Sequence, residues 1–207
     1  MIEVLSKVDP EKKDRILNSA FEEFGKNGFE KASTNEIVEK AGISKGLLFH
    51  YFGSKQALYE LLKEFAVSYV MDILEDGIDW SQSDLFLRVQ QITELKLTAM
   101  EQYPHIYDFL KAVMEDVPAD TIKNQFSDRM LTLISRAYEE NIDFGLFRTD
   151  VERSKAIELI RWTVEGAAVK LMKSKDGDMV QITEEFGTYM DLLRKLLYTE
   201  ERTDGHD

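Results

Sequence analysis

The sequence contains no cysteine among its 207 residues. Disulfide bonds, thiolate metal sites and cysteine nucleophiles are therefore excluded. No stretch approaches the roughly 18 consecutive apolar residues that a membrane-spanning helix needs. The segment "MIEVLSKVDPEKK" also lacks the apolar core of a secretory signal. These absences predict a soluble, cytoplasmic protein.

The chain is equally poor in signals for β-structure. It has only three prolines, and runs rich in Val, Ile or Thr with a period of two residues are absent. Apolar residues instead recur three and four positions apart, which is the spacing of amphipathic helices. A hydrophobic content of 43% can supply a sizeable core. We expect an all-α protein with about nine helices.

Catalytic and metal-binding patterns are missing as well. The three histidines are His50, His105 and His206, and none stands three residues after a glutamate, as a di-iron helical bundle requires. No Gly-rich phosphate loop, nucleophile elbow or H-E-x-x-H motif occurs. We therefore expect no enzyme, no metal site and no cofactor. An all-helical enzyme and a helical protein-interaction module stay open as alternatives.

Positive net charge is absent too, since the formal net charge is -13. A uniform excess of this sign would oppose binding to nucleic acid, because phosphates attract cations. However, residues 1–55 hold nine basic and nine acidic residues, so all of the excess lies in residues 56–207. This division indicates two regions with different electrostatic tasks.

The sequence places helix starts and stops along the whole chain. Asp9 and Pro10 open the first helix, and Gly25 and Gly28 end it. Further helix starts are predicted at Ser33, where Glu36 completes a capping-box pattern, and at Ser44 and Ser54. Five later helices are predicted at 84–102, 104–115, 120–141, 151–175 and 178–199.

The segment "ISKGLLFHYFGSK", residues 43–55, has two lysines and a histidine but no carboxylate. On a helix, Leu48, Tyr51 and Phe52 share one face and should pack inward. The opposite side carries Lys45, Gly46, Leu47, Phe49 and His50. A purely structural helix would expose charged residues there.

Such a face suits the major groove of DNA. A glycine at position 46 lets the backbone approach closely, and Leu47 or Phe49 can meet thymine methyl groups. Lys45 and His50 offer hydrogen-bond donors to bases or phosphate. The short helices before and after "AGIS" would form a helix-turn-helix, with a packed three-helix cap as the alternative.

The run "RILNSAFEEFGKNGFEKASTNEIVEKAGISKGLLFHYFGSKQALYELL", Arg15 to Leu62, resembles the DNA-binding region of TetR-family transcriptional repressors. The resemblance covers about a quarter of the chain. It implies a helical homodimer that binds a palindromic double-stranded DNA operator through its N-terminal domains. A larger C-terminal domain would hold a small-molecule effector, here a small, largely apolar ligand.

The resemblance also assigns roles to individual positions. It implies phosphate contacts for Thr34, Ser44 and Lys55. It places Lys45, Gly46, Phe49 and His50 where the family touches bases or the flanking backbone. The family most often has tyrosine where this chain has Phe49, and a polar residue where it has Leu47, so one phosphate hydrogen bond is lost.

For the rest of the chain we expect a helix-turn-helix domain at 1–54, an effector-binding and dimerisation domain at 55–200 and a polar tail at 201–207. The helices near 151–175 and 178–199 are the candidates for a dimer interface. Residues proposed to line a ligand pocket are Met100, Tyr103, Tyr107, Phe126, Trp162 and Glu165. Glu165, if buried, would favour a cationic or hydrogen-bond-donating ligand. The helix that begins at Lys55 joins the two regions and is the expected lever.

Overall fold

A computed structural model describes residues 2–115, 128–173 and 179–199. Its α-helices are α1 (Pro10–Lys31), α2 (Thr34–Ala41), α3 (Lys45–Phe52), α4 (Lys55–Gly77), α5 (Leu85–Gln102), α6 (Ile106–Glu115), α7 (Asp128–Glu139), α8 (Arg153–Lys173) and α9 (Met179–Leu197). Short 3-10 helices, which the sequence did not predict, lie at Ile2–Lys7 and Phe144–Leu146. The all-α prediction is confirmed. Residues 120–127 of the helix predicted at 120–141 lie outside the described residues.

Local side chains account for the first helix boundaries. Asp9 accepts a hydrogen bond from the Lys12 backbone N–H at 3.2 Å, and Pro10 occupies the first helical position. Gly28 has φ 65° and ψ 175° and kinks α1, so the helix continues to Lys31 only after a break. Gly42, with φ 66°, ends α2 in the left-handed region that favours glycine.

The chain divides into two compact units. One comprises Met1–Ile78 and Ile92–Leu131, and the other comprises Asp79–Gln91 and Thr132–Asp207. The first unit therefore contains α4 and α6 as well as α1 to α3. The domain boundary predicted after residue 54 stays a prediction.

The core of the first unit is rich in aromatic residues. Phe21 of α1 packs against Phe109 of α6, with ring centroids 5.2 Å apart, and edge-on against Tyr103 at 5.7 Å. Helices α1 and α6 approach closely at Gly25, where an added Cβ would lie 3.0 Å from the Asp108 Cβ. This packing ties α6 directly to the first helix of the predicted DNA-binding region.

The second unit has its own core between α8, α9 and the start of α5. Its buried apolar residues include Leu85, Ile160, Met190, Leu193 and Leu197. The carboxylate of Asp84 caps α5 by accepting from the backbone of Phe86 at 2.9 Å and pairs with Arg194 of α9 at 2.6 Å. Arg88, fully buried, donates to the backbone carbonyls of Trp80 and Glu140.

Within the described ranges, none of the helices combines the length and apolar character needed to cross a membrane. The same ranges contain no cluster of three or more His, Asp or Glu side chains arranged to hold a metal ion.

Candidate nucleic-acid interface

Three serine hydroxyls define the starts of α2, α3 and α4. Ser33 accepts a hydrogen bond from the backbone of Glu36 at 3.5 Å, Ser44 from Leu47 at 3.2 Å, and Ser54 from Ala57 at 3.0 Å. A helix start has several backbone N–H groups without intrahelical acceptors, and these suit phosphate oxygens. The chain therefore presents three such helix starts within 22 residues.

The capping box predicted at α2 is only half present. Ser33 caps the helix, but its own backbone N–H donates to the carboxylate of Glu23 in α1, at 2.8 Å, and not to Glu36. Glu23 is 4% exposed and also accepts from Asn27 at 2.9 Å. The acceptor for the Ser33 backbone N–H, which a capping box would take from Glu36 in the same helix, therefore comes from α1. This is possible because α1 passes beside the start of α2.

Helix α3 has the two faces that its sequence predicts. Leu48 and Phe52 are buried at 1% and 6% exposure, and Tyr51 packs half-buried against the same core. On the other side Ser44, Lys45, Gly46 and His50 are exposed, while Leu47 and Phe49 are half-buried. The outward face thus lacks carboxylates and presents the residues predicted to read DNA.

Lys45 is held at the join between α2 and α3. Its Nζ donates to Oδ1 of Asn35 at 2.9 Å and lies 6.0 Å from the centroid of the Phe49 ring. Asn35 is exposed in the first turn of α2 and was not among the predicted site residues. The sequence gives no signal for this pair, since ten residues and a turn separate the two side chains.

Lys55, a predicted phosphate contact, is half-buried and engaged within the protein. Its Nζ donates to the backbone carbonyl of Glu30 at 3.1 Å and lies 4.8 Å from the centroid of the Phe29 ring. A cation at the C-terminal end of α1 also complements the helix dipole. Thr34, the other predicted phosphate contact, is half-buried at the first position of α2.

One basic residue of α2 is neutralised by α1. The ammonium of Lys40 lies 2.6 Å from the carboxylate of Glu22. This hydrogen bond lowers the pKa of Glu22 and raises that of Lys40. Lys45, at the start of α3, is exposed and, within the part of the chain that the structure describes, has no carboxylate partner of this kind.

The predicted ligand-pocket residues fall into different parts of the structure. Tyr103 is 1% exposed and its hydroxyl donates to Asp14 of α1 at 2.9 Å. Tyr107 donates to the backbone carbonyl of Lys96 at 3.1 Å, and Met100 is half-buried in the same unit. Phe126 lies outside the described residues.

The remaining two pocket candidates belong to the second unit. Trp162 on α8 is 61% exposed. Glu165 is exposed as well and faces Arg161 at 3.9 Å. Glu165 is expected to select a cationic ligand only if it is buried. In the protomer it is exposed, so this condition is not met.

The fold and the capped α2–turn–α3 arrangement define a helix-turn-helix DNA-binding protein. Residues 16–62 match the sequence profile described as "Bacterial regulatory proteins, tetR family". This stretch of the chain is therefore similar to the N-terminal DNA-binding region of TetR-family transcriptional regulators. Members of this family are typically dimeric and ligand-responsive.

Similarity to individual proteins extends beyond the helix-turn-helix. The nucleoid occlusion factor SlmA of Marinobacter nauticus is 27% identical over 169 residues, which are 80% of this chain and 86% of SlmA. The negative transcriptional regulator IcaR of the Staphylococcus aureus biofilm operon icaADBC is 20% identical over 186 residues, 88% of this chain and 99% of IcaR. A crystal structure of a TetR-family regulator from Chloroflexus aurantiacus superposes with a TM-score of 0.64 at 18% identity, covering 96% of this chain and 98% of that one. The last likeness concerns the fold alone.

Proposed function

We propose that this protein is a transcriptional repressor that binds a palindromic operator as a homodimer and is released by a small, largely apolar ligand. The observation that carries the proposal is the exposed face of α3. It has no carboxylate and stands on a helix-turn-helix with capped helix starts. Repression as the direction of control is supported by the likeness to IcaR, which is named a negative regulator.

The roles proposed for single residues follow their exposure. Lys45, Gly46 and His50 are exposed and would approach bases, with Leu47 and Phe49 beside them against thymine methyl groups or deoxyribose. Thr34, Ser44 and Lys55 would lie near phosphates. For Ser44 the contact would use the first-turn N–H groups of α3, because its hydroxyl already caps the helix.

The dimer interface is proposed to lie on α8 and α9. Of the apolar residues on these helices, Ile160, Met190, Leu193 and Leu197 are buried in the core of the second unit. A separate apolar row remains exposed on the same two helices and would meet the partner. Its members are Leu159, Trp162, Val169, Tyr189, Leu192 and Leu196.

The ligand is proposed to act by changing the separation of the two α3 helices. They must lie about 34 Å apart to enter successive major grooves, so a ligand that prefers another spacing reduces the DNA-competent population. Helix α4 leads from the helix-turn-helix into the predicted pocket region. A second link supports this coupling, because Asn18 of α1 donates to the backbone carbonyl of Gln102 at 3.1 Å, beside the Tyr103–Asp14 bond.

Selection from random DNA duplexes at moderate salt tests the DNA-binding part of the proposal. We expect enrichment of a palindrome. Lys45→Ala and His50→Ala should relax base preference, whereas Lys55→Ala should weaken binding to all sequences and flatten its salt dependence. Lys111→Ala, on α6, serves as a control lysine. Failure to enrich any palindrome would contradict the proposal.

Because Lys55 also bonds to Glu30, its variant needs a second measurement. The melting temperature of Lys55→Ala separates lost phosphate contact from a loosened α1–α4 junction. If binding recovers in Lys55→Arg, a cation is required at this position. Release by ligand is tested by following operator affinity during titration with any compound that raises the melting temperature.

A further inference from the structure

Helix α5 carries a lysine on its inward face. Lys96 precedes Ala99 by three residues and Met100 by four, so these side chains lie on one side of α5, and Tyr103 follows directly after the last residue of the helix. Ala99 is 0% exposed and Tyr103 is 1% exposed. Lys96 itself is half-buried and borders this buried face, where apolar residues are the rule.

Helix α6 contacts α5 at Lys96 through Tyr107. The hydroxyl of Tyr107 donates to the backbone carbonyl of Lys96 at 3.1 Å, which places the Tyr107 side chain directly beside it. Burial raises the pKa of the Tyr107 phenol, and burial also lowers the pKa of the Lys96 ammonium. Both shifts indicate an environment with little water.

The other polar groups of this region have partners within the protein. Tyr69 donates to Gln102 at 3.0 Å, and Tyr103 donates to Asp14 at 2.9 Å. Among the residues that the structure describes, no ion pair joins Lys96 to a carboxylate, and burial is what lowers the pKa of its ammonium. A cation that is partly removed from water gains from a partner of opposite charge.

We propose that Lys96 binds the carboxylate of an anionic effector whose apolar body lies against Met100 and Tyr107. A carboxylate would supply the missing partner of the ammonium, and the half-buried methionine and tyrosine side chains would supply apolar contact. The inference deepens the proposed function, since it rests on the protein being ligand-responsive. It assigns the effector the charge opposite to the one that a buried Glu165 would have selected.

The test uses two probe acids, decanoate and 1-naphthoate, each compared with its uncharged primary amide. Binding is measured by thermal shift and by titration calorimetry on the full chain. The wild type should bind at least one acid roughly tenfold or more tightly than the matching amide, the size expected for a charge-assisted hydrogen bond. Lys96→Met should lose this preference, and Lys96→Arg should keep it because it keeps the cation.

Lys111→Met is the matched control. Lys111 lies half-buried on α6, two positions after the buried Phe109 and on the opposite side of that helix. This variant should bind the acids as the wild type does. Absence of acid binding by the wild type, equal binding of acid and amide, or an unchanged preference in Lys96→Met would each overturn the proposal.

A measurement without ligand separates a binding lysine from a structural one. If Lys96 is unpaired, Lys96→Met removes a buried charge and should leave the melting temperature unchanged or raise it. If instead Lys96 neutralises a carboxylate of the protein, the same variant strands that carboxylate and the melting temperature falls, which contradicts the proposal.

The DNA readout keeps the two proposals distinguishable. Lys96→Met should bind a selected operator with the affinity of the wild type but no longer be released by the acid. If the protein selects no operator, the repressor proposal fails while the acid titrations still decide the role of Lys96. If the operator is selected and no acid binds, only the Lys96 proposal fails.

Discussion

Glu23 joins two helices through a single buried carboxylate. It accepts hydrogen bonds from the Ser33 backbone and from Asn27, and it lies at 4% exposure. Glu36, which the sequence pattern assigns to this bond, is exposed. The two glutamates therefore differ in what they contribute to folding, although the pattern favours the wrong one.

Glu23→Ala should lower the free energy of unfolding by about 1–3 kcal/mol, because it leaves the part-buried Ser33 N–H without its acceptor. Glu36→Ala is the matched control and should change stability little, since surface substitutions of this kind have small effects. Chemical denaturation of both variants measures the difference. A larger loss of stability in Glu36→Ala than in Glu23→Ala would indicate that Glu36 completes the capping box, and it would contradict the role of Glu23.

Lys45 and Lys55 show how residues of one type take different parts. Lys45 is exposed and bonds to a side chain, Asn35, which it can exchange for DNA without disturbing the backbone. Lys55 bonds to a backbone carbonyl at the end of α1 and is half-buried. Of the two, Lys45 is thus the one suited to reading bases.

At the scale of helices, two glycines have opposite surroundings. An added Cβ at Gly25 would lie 3.0 Å from the backbone nitrogen of Phe109 and from the Asp108 Cβ. At Gly46 the nearest atom to an added Cβ is the Ser44 Oγ, at 4.0 Å. The packing of α1 against α6 therefore requires a glycine, whereas the folding of α3 does not.

Gly25→Ala should destabilise the protein by about 1–3 kcal/mol through overpacking. Gly46→Ala should leave stability unchanged or raise it by up to about 1 kcal/mol, because alanine favours helix. If the α3 backbone approaches DNA at Gly46, the same variant should nevertheless weaken operator binding roughly tenfold, about 1.4 kcal/mol. Melting curves and DNA titrations on both variants measure these effects. Unchanged operator affinity in Gly46→Ala would exclude close approach at this position.

At the scale of the whole molecule, α8 and α9 expose more apolar surface than a single protomer explains. Trp162, Leu192 and Leu196 are each more than half exposed. Large apolar side chains clustered in this way mark protein contacts, and TetR-family regulators, whose DNA-binding region residues 16–62 resemble, are typically dimeric. All of this exposed apolar surface on α8 and α9 lies on the second unit.

Leu192→Glu should weaken dimerisation about a hundredfold, near 2.8 kcal/mol, because it places a charge in the proposed apolar interface. Leu131→Glu is the control, since Leu131 is 54% exposed, close to the 52% of Leu192, but lies on α7. Light scattering over a concentration series distinguishes monomer from dimer. A Leu192→Glu protein that remains as dimeric as Leu131→Glu would place the interface elsewhere.

The sequence alone determined the features that depend on neighbouring residues. Helix starts at Asp9, Ser33, Ser44 and Ser54 follow from side chains that cap their own helices, and Gly42 stops α2 because glycine adopts positive φ without strain. The inward and outward faces of α3 follow from helical periodicity. The family resemblance over Arg15 to Leu62 is visible in the sequence for the same reason, because it consists of caps, turns and apolar spacing.

Tertiary structure decided the features that depend on residues distant in the chain. It selected Glu23 in place of Glu36, paired Asn35 with Lys45 and directed Lys55 to the end of α1. On α9 both faces carry apolar residues, so periodicity cannot tell which row is buried. The neighbouring helices decide this, because Met190, Leu193 and Leu197 face α8 and the start of α5 while the row with Leu192 faces outward. The environment of Lys96 was likewise decided by tertiary structure, since the exposure of a lysine depends on what packs against its helix.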